Sequence, residues 1–282
     1  MRFCVIGAAN LDVTGFCPDG LRLHDSNIGS VGFSCGGVGH NIAARLASLG
    51  HQVSFVTALP GGFAGSAIRA DCEKCSLDLS HAVETRESSC YVALHGAGGD
   101  LLAAVNDMKA VSLLTPAYVR GIADYINGFD MCVTEANLSE ETLSAIAECV
   151  RVPIAADCVS AAKCARLRPL MKRLSLIKPN LCEAEALTGE KDPEAAARVL
   201  LREGARRVLI TLGERGVFAA DENAAEFLAP GRRFTCQTNG AGDAFCAGAC
   251  VGAARGLGAR ECAESGLIES ERLLDSRSKG LE

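Results

Sequence analysis

Three features are scarce in this chain of 282 residues: tryptophan, clustered positive charge and long apolar runs. Tryptophan is absent, and its absence indicates no particular function. No apolar run approaches the length that a membrane span requires. The net charge of −6 comes without a dense stripe of Lys and Arg, which argues against a surface that coats nucleic acid. We therefore expect neither a membrane nor a nucleic acid as a partner.

The N-terminal residues lack the long apolar core and the cleavage site of a signal peptide, and they are typical of a first strand. Cysteine is abundant: the chain has 15, scattered through apolar segments where a thiol behaves as a small hydrophobe. Cys72 and Cys75 are spaced C-x-x-C, but no second pair and no nearby histidine pair completes a zinc site. An odd cysteine count without a signal peptide predicts a protein of the reducing cytoplasm.

Strand-like and helix-like segments alternate along the chain. Strand candidates occupy residues 2–13, 52–59, 130–137, 152–159, 174–180 and 207–213. Helix candidates lie at residues 40–49, 116–126, 140–149, 161–174 and 193–202. This alternation predicts an α/β fold with a mostly parallel sheet and helices on both faces. Residues 14–34 and 88–106 are polar and rich in turn formers, so we predict one domain over residues 1–282 with these two segments as a small β lid.

Polar residues recur where the predicted strands end. In open α/β sheets, ligands bind at the carboxyl ends of the strands. A single polar residue at such a place is more often a turn or cap residue, but the recurrence favours a binding site. The residues concerned are Asn10, Asp12, Glu135, Asn137, Asp157, Asn180, Thr211 and Gly213.

The segment TNGAGDAFCA, residues 238–247, carries the most information. Gly240, Ala241 and Gly242 lead into Asp243 and then into an apolar helix. A glycine-rich turn at a helix start presents N–H groups that bind phosphate. A carboxylate there fits a base that takes a proton from a hydroxyl attacking a phosphoryl group. The alternative is a helix cap at Asp243 after an ordinary turn.

Three further motifs are weaker when taken singly. GGVGHNIA (36–43) permits close backbone approach, and its Asn41 offers a donor and an acceptor to a sugar hydroxyl. In KPNLCEAE, Asn180 and Glu183 can face one metal–phosphate cluster, with Glu183 acting through a magnesium-bound water, but a capping box explains the same spacing. TLGERG (211–216) either approaches a nucleotide or only shapes a hairpin.

In this order along the chain, the motifs resemble the ribokinase-like (PfkB) family of sugar and nucleoside kinases. The match runs from Asn10 to about Gly248, and its strongest carriers are GG…N near the N-terminus and GAGD near the C-terminus. The resemblance implies a ribokinase-like three-layer sandwich with a β lid, ATP and Mg²⁺ as cofactors, and Asp243 as general base. The segments ANLDV, DSNIG, CGGVGHNIA, AVNDM and DCVSAAK are more similar to the kinases of pseudouridine.

The resemblance also implies roles for individual residues. Its sugar-side contacts fall on Asn10, Asp12, Gly36, Gly37 and Asn41. Candidates for recognition of the base are Asp25, Asn27, Asn106 and Asp107. The transferring phosphoryl group would be held by N–H groups of Ala241, Gly242 and Asp243. ATP contacts fall on Lys163, Asn180, Thr211, Gly213 and Gly216, although Lys163 is alternatively a solvated helix charge.

Three segments depart from the family pattern. Gln237 and Thr238 stand where the family often has Asp-Thr, so a nearby site for a monovalent cation such as K⁺ is left open. Residues 60–62 replace a G-x-D, and the C-terminal residues do not match the family's adenine-pocket loop. The leading hypothesis is a pseudouridine kinase. The alternatives are a kinase of another nucleoside or sugar and a catalytically silent nucleoside-binding relative. Because an exposed strand edge invites pairing, we also expect a homodimer through the lid.

Overall fold

The computed structural model of the chain describes residues 1–232, 234 and 238–279. The strands are β1 (Arg2–Ile6), β2 (Asn10–Phe16), β3 (Ser30–Gly36), β4 (Gln52–Val56), β5 (Ala58–Pro60), β6 (Val83–Thr85), β7 (Cys90–His95), β8 (Leu101–Asp107), β9 (Met131–Glu135), β10 (Ile154–Asp157), β11 (Leu174–Lys178), β12 (Arg207–Thr211), β13 (Val217–Asp221) and β14 (Ala225–Leu228). The α-helices are α1 (Val38–Ser48), α2 (Gly62–Lys74), α3 (Pro116–Gly121), α4 (Ala123–Ile126), α5 (Glu140–Cys149), α6 (Leu181–Thr188), α7 (Pro193–Glu203), α8 (Ala241–Ala254) and α9 (Ala259–Ser278). Short 3₁₀ helices lie at Lys109–Leu113, Cys164–Arg173 and Gly213–Arg215.

The central sheet has the strand order β14-β13-β12-β11-β10-β9-β1-β4. Six neighbouring strands of this sheet run parallel: β4, β1, β9, β10, β11 and β12. At one edge, β13 pairs antiparallel with β12, and β14 pairs antiparallel with β13. Because the parallel strands share one direction, their carboxyl ends meet at one edge of the sheet, where ligands bind in folds of this type.

Two apolar cores cover the two faces of this sheet. Along β1, Cys4 and Ile6 join one core, whereas Phe3 and Val5 join the other, as the period of two in a strand requires. The first core is covered by α3, α5, α6, α7 and the 3₁₀ segment Cys164–Arg173. The second core is covered by α1, α2, α8 and α9. The predicted α/β sandwich, a mostly parallel sheet with helices on both faces, is therefore confirmed.

A second sheet has the order β3-β2-β7-β8, and we call it the lid sheet. Strand β2 pairs antiparallel with β3 and parallel with β7, and β7 pairs antiparallel with β8. A parallel pair, β5 and β6, forms a separate two-stranded ribbon.

Several predicted elements differ from the structure in extent or type. The predicted strand 2–13 is split, because its first part joins the central sheet and its second part joins the lid sheet. The predicted helix 116–126 is two short helices that meet at Ile122. The predicted helix 161–174 is a 3₁₀ segment with Pro169 inside it, and proline removes a backbone donor that an α-helix needs.

A close contact between α1 and the link after β1 brings α1 to the edge where the strands end. A Cβ atom added at Gly39 would lie 2.9 Å from the Cα and the carbonyl carbon of Gly7. Only a glycine fits at this distance without moving the helix. Asn41, two residues further along α1, depends on this contact for its place.

We expect Gly39→Ala to lower the free energy of unfolding by about 1–3 kcal/mol, because overpacking at this contact forces the backbones apart. The measurement is urea denaturation of the two proteins. Gly121→Ala is the matched control, since a Cβ there meets no atom within 4 Å, and it should be neutral or slightly stabilising. Equal stabilities for Gly39→Ala and the wild type would contradict the role given to this contact.

Candidate active site

Three charged residues end neighbouring parallel strands. In the sheet register Asp157 lies between Glu135 of β9 and Lys178 of β11, and all three side chains are buried. Lys178 Nζ lies 2.7 Å from Asp157 Oδ2. Burial opposes the ammonium charge, but Asp157 outweighs that effect and raises the pKa of Lys178 above its ordinary value. The lysine therefore carries a fixed positive charge at this edge of the sheet.

Glu135 is held by the backbone around it. Its Oε1 accepts the N–H of Ala8 at 2.8 Å, and its Oε2 accepts the N–H of Asn137 at 2.6 Å. Burial raises the pKa of Glu135 to about 7, and Asp157 contributes in the same direction. This carboxyl group fixes the link that follows β1 to the end of β9.

Lys163 donates a hydrogen bond from Nζ to Asn137 Oδ1 at 2.6 Å. The sequence left this lysine as either a phosphate ligand or a solvated charge. The structure places it against the polar edge of the sheet, with its side chain partly buried and already bonded.

The glycine turn begins α8. Gly240 is the N-cap residue with φ +75°, a conformation that favours glycine. Asp243 is therefore not the cap, and among the described residues no side chain caps this helix. The N–H of Ala241 donates to Thr238 O at 3.0 Å, so it is used within the turn. Gly242 and Asp243 occupy the first helical turn, where the helix itself provides no acceptor for their N–H groups.

The ammonium group of Lys178 lies beside this turn. A Cβ atom added at Gly242 would lie 3.3 Å from Lys178 Nζ, so the absence of a side chain lets the backbone approach the charge. Backbone N–H groups, the positive end of the α8 dipole and a lysine therefore act at one point. The combination is suited to an anion.

Asp243 lies at the same point and is bonded to α1. Asn41 Nδ2 donates to Asp243 Oδ2 at 2.7 Å. Burial, with a further contribution from Asp157, raises the pKa of Asp243 to about 6, while Lys178 and the hydrogen bond from Asn41 act against the rise. At neutral pH the group is mainly a carboxylate with a pKa close enough to accept a proton in a reaction.

Asn180 and Glu183 form the capping box at the start of α6. Asn180 Oδ1 accepts the N–H of Glu183 at 2.9 Å, and Glu183 Oε2 accepts the N–H of Asn180 at 2.7 Å. Burial raises the pKa of Glu183. The capping box that this spacing predicted is thus present. Thr211 lies next to Asn180, as its N–H donates to Pro179 O at 2.9 Å.

Two cavities meet at the glycine turn. The smaller, of about 300 Å³, is lined by Thr211, Gly213, Glu214, Gly216, Pro230, Arg232, Phe234, Thr238, Ala241, Gly242, Phe245, Leu267, Ser270, Glu271 and Leu274. The larger, of about 570 Å³, is lined by Asp12, Ser34, Cys35, Gly36, Asn41, Ala44, Arg45, Ser48, Cys75, Asn239, Gly240, Asp243, Ala244, Leu273 and Arg277. The first turn of α8 is the wall between them, so a group bound in one cavity can face a group bound in the other across Gly242 and Asp243.

The sugar-side residues inferred from the sequence gather at the larger cavity. Asp12, Gly36 and Asn41 line it, and Asn10 Nδ2 donates to Asp12 Oδ1 at 2.5 Å. Burial raises the pKa of Asp12, against the effect of the bond from Asn10. Gly37 is the N-cap of α1 and has φ +102°.

The four candidates for base recognition lie in different places. Asn106 of β8 shares a face of the lid sheet with Asp12, because both pair in register with Tyr91. Its neighbour Asp107 faces the other way and lies 3.4 Å from Lys109 Nζ. Asp25 and Asn27 belong to the exposed loop before β3.

Side chains of that loop form hydrogen bonds with the loop's own backbone. Asn27 Oδ1 accepts the N–H of Arg22 at 2.7 Å, and Asp25 Oδ1 accepts the N–H of Ser26 at 2.7 Å. The geometry therefore brings Asn106 toward the sugar-side residues, whereas Asp25, Asn27 and Asp107 are turned elsewhere.

Sequence reasoning missed Lys178 as a member of this site. The sequence did contain a signal for it: Lys178 lies near the end of one predicted strand, and Asp157 lies near the end of the predicted strand before it. Opposite charges at the ends of adjacent strands indicate an ion pair. Gln237, on which the question of a monovalent cation depended, lies outside the described residues. Among residues 1–232, 234 and 238–279, no group of three or more His, Cys, Asp or Glu side chains could hold a metal ion by itself.

No helix in the described part of the chain has both the length and the apolar character to cross a membrane. The cysteines of that part, including Cys72 and Cys75, are free thiols. Burial raises the pKa of both these thiols, most strongly that of Cys72, to about 12. They are therefore protonated at neutral pH.

Comparison with known proteins agrees with this architecture. The chain is 33% identical over 253 residues to pseudouridine kinase of Escherichia coli, covering 86% of this chain and 81% of that protein. It is 27% identical over 258 residues to an uncharacterized sugar kinase of the same organism, covering 88% and 71% of the two chains. A solved carbohydrate kinase from Agrobacterium tumefaciens superposes with a TM-score of 0.85 at 27% identity, covering 95% of this chain and 89% of that one. The family model described as pfkB family carbohydrate kinase matches residues 2–267. The chain with this carboxylate between two cavities therefore belongs to the pfkB family of carbohydrate kinases.

Proposed function

We propose that this protein transfers the γ-phosphoryl group of ATP to the 5′-hydroxyl of a nucleoside, and that the nucleoside is pseudouridine. The observation that carries the proposal is the position of Asp243. It is a carboxylate with a raised pKa that lies between two cavities, beside N–H groups and a buried lysine that suit an anion. These are the parts that phosphoryl transfer requires.

The smaller cavity suits ATP. It contains Thr211, Gly213 and Gly216, which sequence reasoning assigned to the nucleotide. Apolar side chains from α8 and α9, among them Phe245 and Leu267, supply the surface against which an adenine ring packs. The C-terminal helix α9 thus takes the place of the adenine-pocket loop that the sequence did not match.

In the proposed reaction, Asp243 accepts the proton of the 5′-hydroxyl as that oxygen bonds to the γ-phosphorus. The bond from the γ-phosphorus to the oxygen shared with the β-phosphate breaks, and ADP leaves with the electron pair. The N–H groups of Gly242 and Asp243 and the ammonium of Lys178 stabilise the charge on the phosphoryl oxygens. Asn41 fixes the direction of the Asp243 carboxylate through the bond at 2.7 Å.

A magnesium ion would neutralise charge on the phosphates of ATP. Mg²⁺ prefers oxygen ligands and keeps several waters, so one or two carboxylates are enough when phosphates supply the rest. Glu183, which is buried beside the strand ends, fits this requirement through a water molecule. Asn180 orients it by the capping box.

Two observations favour pseudouridine as the acceptor. The relative with 33% identity is named a pseudouridine kinase. In addition, Asn106 lies on the face of the lid sheet that carries Asp12. The base of pseudouridine is joined through carbon and has a ring N–H that uridine lacks, and an amide oxygen accepts from such a group. Another nucleoside or a sugar is the alternative acceptor, since a second relative is named a sugar kinase. A silent binding protein is disfavoured because Asp243 and its glycine turn are present.

The other face of the lid sheet supports a homodimer. Phe33, Val13, Val92 and Val105 form one row across its four strands, and Phe33 and Val105 are 59% and 68% exposed. An exposed apolar row on a sheet with open edges is suited to pairing with a second copy. The free thiols of the described residues agree with a cytoplasmic location.

We expect turnover of pseudouridine to exceed that of uridine, adenosine, ribose and fructose in a panel with MgATP. Asn106→Ala should reduce the preference for pseudouridine over uridine by about 10- to 100-fold, because the ring N–H of the bound base would be left unpaired, at a cost of about 1–3 kcal/mol. Asp107→Asn is the matched control on the opposite face and should keep the preference. Faster turnover of uridine or ribose by the wild type would overturn the choice of acceptor.

The pH dependence follows from the carboxylate. Because the base must be ionised, kcat/KM should fall about tenfold per pH unit as the pH drops below about 6, the raised pKa of Asp243. Asp243→Asn should lower kcat by about 100-fold or more, and its residual rate should lack this acid limb. A variant that keeps the wild-type rate would remove Asp243 as the base.

The dimer is tested by sedimentation velocity. We expect the wild type to sediment as a dimer. Val31 lies two residues before Phe33 on the same face of β3 and is 65% exposed. Val31→Lys combined with Val105→Lys should sediment as a monomer, because two charges per protomer would be buried in the apolar interface. Ile268→Lys, at an exposed position of α9, is the control and should leave the dimer intact. A monomeric wild type contradicts the proposed assembly.

A further inference from the structure

A line of contacts leads from the proposed base to a second carboxylate on α2. Asp243 Oδ2 accepts from Asn41 Nδ2 at 2.7 Å, and Asn41 Oδ1 lies 3.3 Å from Nδ1 of His40. His40 Nε2 lies 2.9 Å from Asp71 Oδ2. Four side chains from three helices therefore form one polar chain that ends at the reacting group.

The direction of the Asn41 amide follows from the chemistry of its neighbours. An ionised carboxylate only accepts, so the amide nitrogen must face Asp243. The amide oxygen then faces His40 Nδ1, and this contact is a hydrogen bond only if Nδ1 carries a proton. Nε2 faces the Asp71 carboxylate at 2.9 Å, and this negative charge stabilises a proton on Nε2 as well. An imidazole with protons on both nitrogens is an imidazolium.

We propose that His40 is a positioning residue that, as an imidazolium paired with Asp71, holds the Asn41 amide with its nitrogen toward the base Asp243. The proposal rests on the proposed function only in taking Asp243 as the base. His40 does not touch the acceptor. It acts through Asn41, which lies against His40 and donates a hydrogen bond to Asp243.

The surroundings of His40 support a positive charge. The ring is 4% exposed, and a buried charge needs a partner. The hydrogen bond and charge of His40 lower the pKa of Asp71, although the burial of Asp71 opposes this. Asp12 on β2 is the other carboxylate that faces it, and the charge of His40 acts to lower the pKa of Asp12 against the larger effect of burial.

The remaining contacts of His40 are neutral or distant. The ring of Phe55 on β4 meets it edge-on, with the centroids 6.2 Å apart. The thiols of Cys35 on β3 and of Cys75, just after α2, lie near Asp71, and burial raises the pKa of both. The facing groups with charge are thus Asp71, Asp12 and, through Asn41, Asp243.

The proton on His40 Nδ1 determines which way the Asn41 amide points. Without it, a lone pair would face the Asn41 oxygen, and the amide would be driven to turn. A turned amide would place its oxygen against Asp243, where only a protonated carboxyl group can bond to it. The His40 proton therefore favours the ionised base.

The kinetic test compares His40→Gln, Asp71→Asn and a matched control, His81→Gln, which replaces a histidine stacked on Tyr125 away from the site. We expect His40→Gln to lower kcat by up to about 100-fold with little change in KM, as misplacement of a reacting group does. Its acid limb should move to higher pH, because the hydrogen bond from Asn41 that lowers the pKa of Asp243 is lost, and Asp71→Asn should show a smaller shift in the same direction. His81→Gln should match the wild type. An unchanged pH profile in His40→Gln overturns the proposal.

A second measurement needs no turnover. In ¹H–¹⁵N spectra of the imidazole groups of the wild type, His40 is assigned by its absence from His40→Gln, and at neutral pH both its nitrogens should show the shifts of an imidazolium. A neutral tautomer there overturns the proposal even if the variant folds poorly. If no compound in the panel is phosphorylated, the proposed function fails, whereas an imidazolium signal would still uphold the contact to Asn41.

Discussion

The buried ion pair between Lys178 and Asp157 is the constraint on which the rest of the site depends. Two charges withdrawn from water are tolerated only as close partners, and here they are 2.7 Å apart at the ends of adjacent strands. The pair exists because the parallel register of β10 and β11 puts Asp157 opposite Lys178. The glycine at position 242 lets the start of α8 come close to this ammonium, since an added Cβ would lie 3.3 Å from the charged nitrogen. The start of α8 is thus placed by electrostatics as well as by packing.

The two cavities on either side of the start of α8 differ in the chemical groups that line them. The smaller is bordered by α8, α9 and the turn after β12, and it offers apolar surface and backbone to a nucleotide. The larger is bordered by α1, the lid sheet and the same turn, and it offers carboxylates and amides to hydroxyl groups. Asp243 lies in the wall between them, where burial, with a further contribution from Asp157, raises its pKa and Lys178 limits the rise. The pKa of this base near 6 therefore results from its burial and from the charges at the strand ends.

Much of the fold could be predicted from the sequence. Strand-like and helix-like segments that alternate along the chain indicate a parallel sheet where the paired strands are close in the sequence. The predictions that differ from the structure have physical causes. Residues 2–13 form one continuous apolar pattern, yet they serve two sheets, since partner choice depends on elements far along the chain. Pro169 turns a helical pattern into a 3₁₀ segment. The C-terminal helix α9 was unmatched as a motif, yet it lines both cavities.

The order of motifs, the glycine turn and the residue types around it were readable without any coordinates, because local chemistry restricts which residues can cap a helix or approach a phosphate. The arrangement of those groups in space was not. Asn41 and Asp243 are 202 positions apart and still share a hydrogen bond. Adjacent Asn106 and Asp107 differ entirely in what they can contact, since a strand turns successive side chains to opposite faces. Distances of this kind are set by packing across the whole sheet, and a linear pattern carries no record of them.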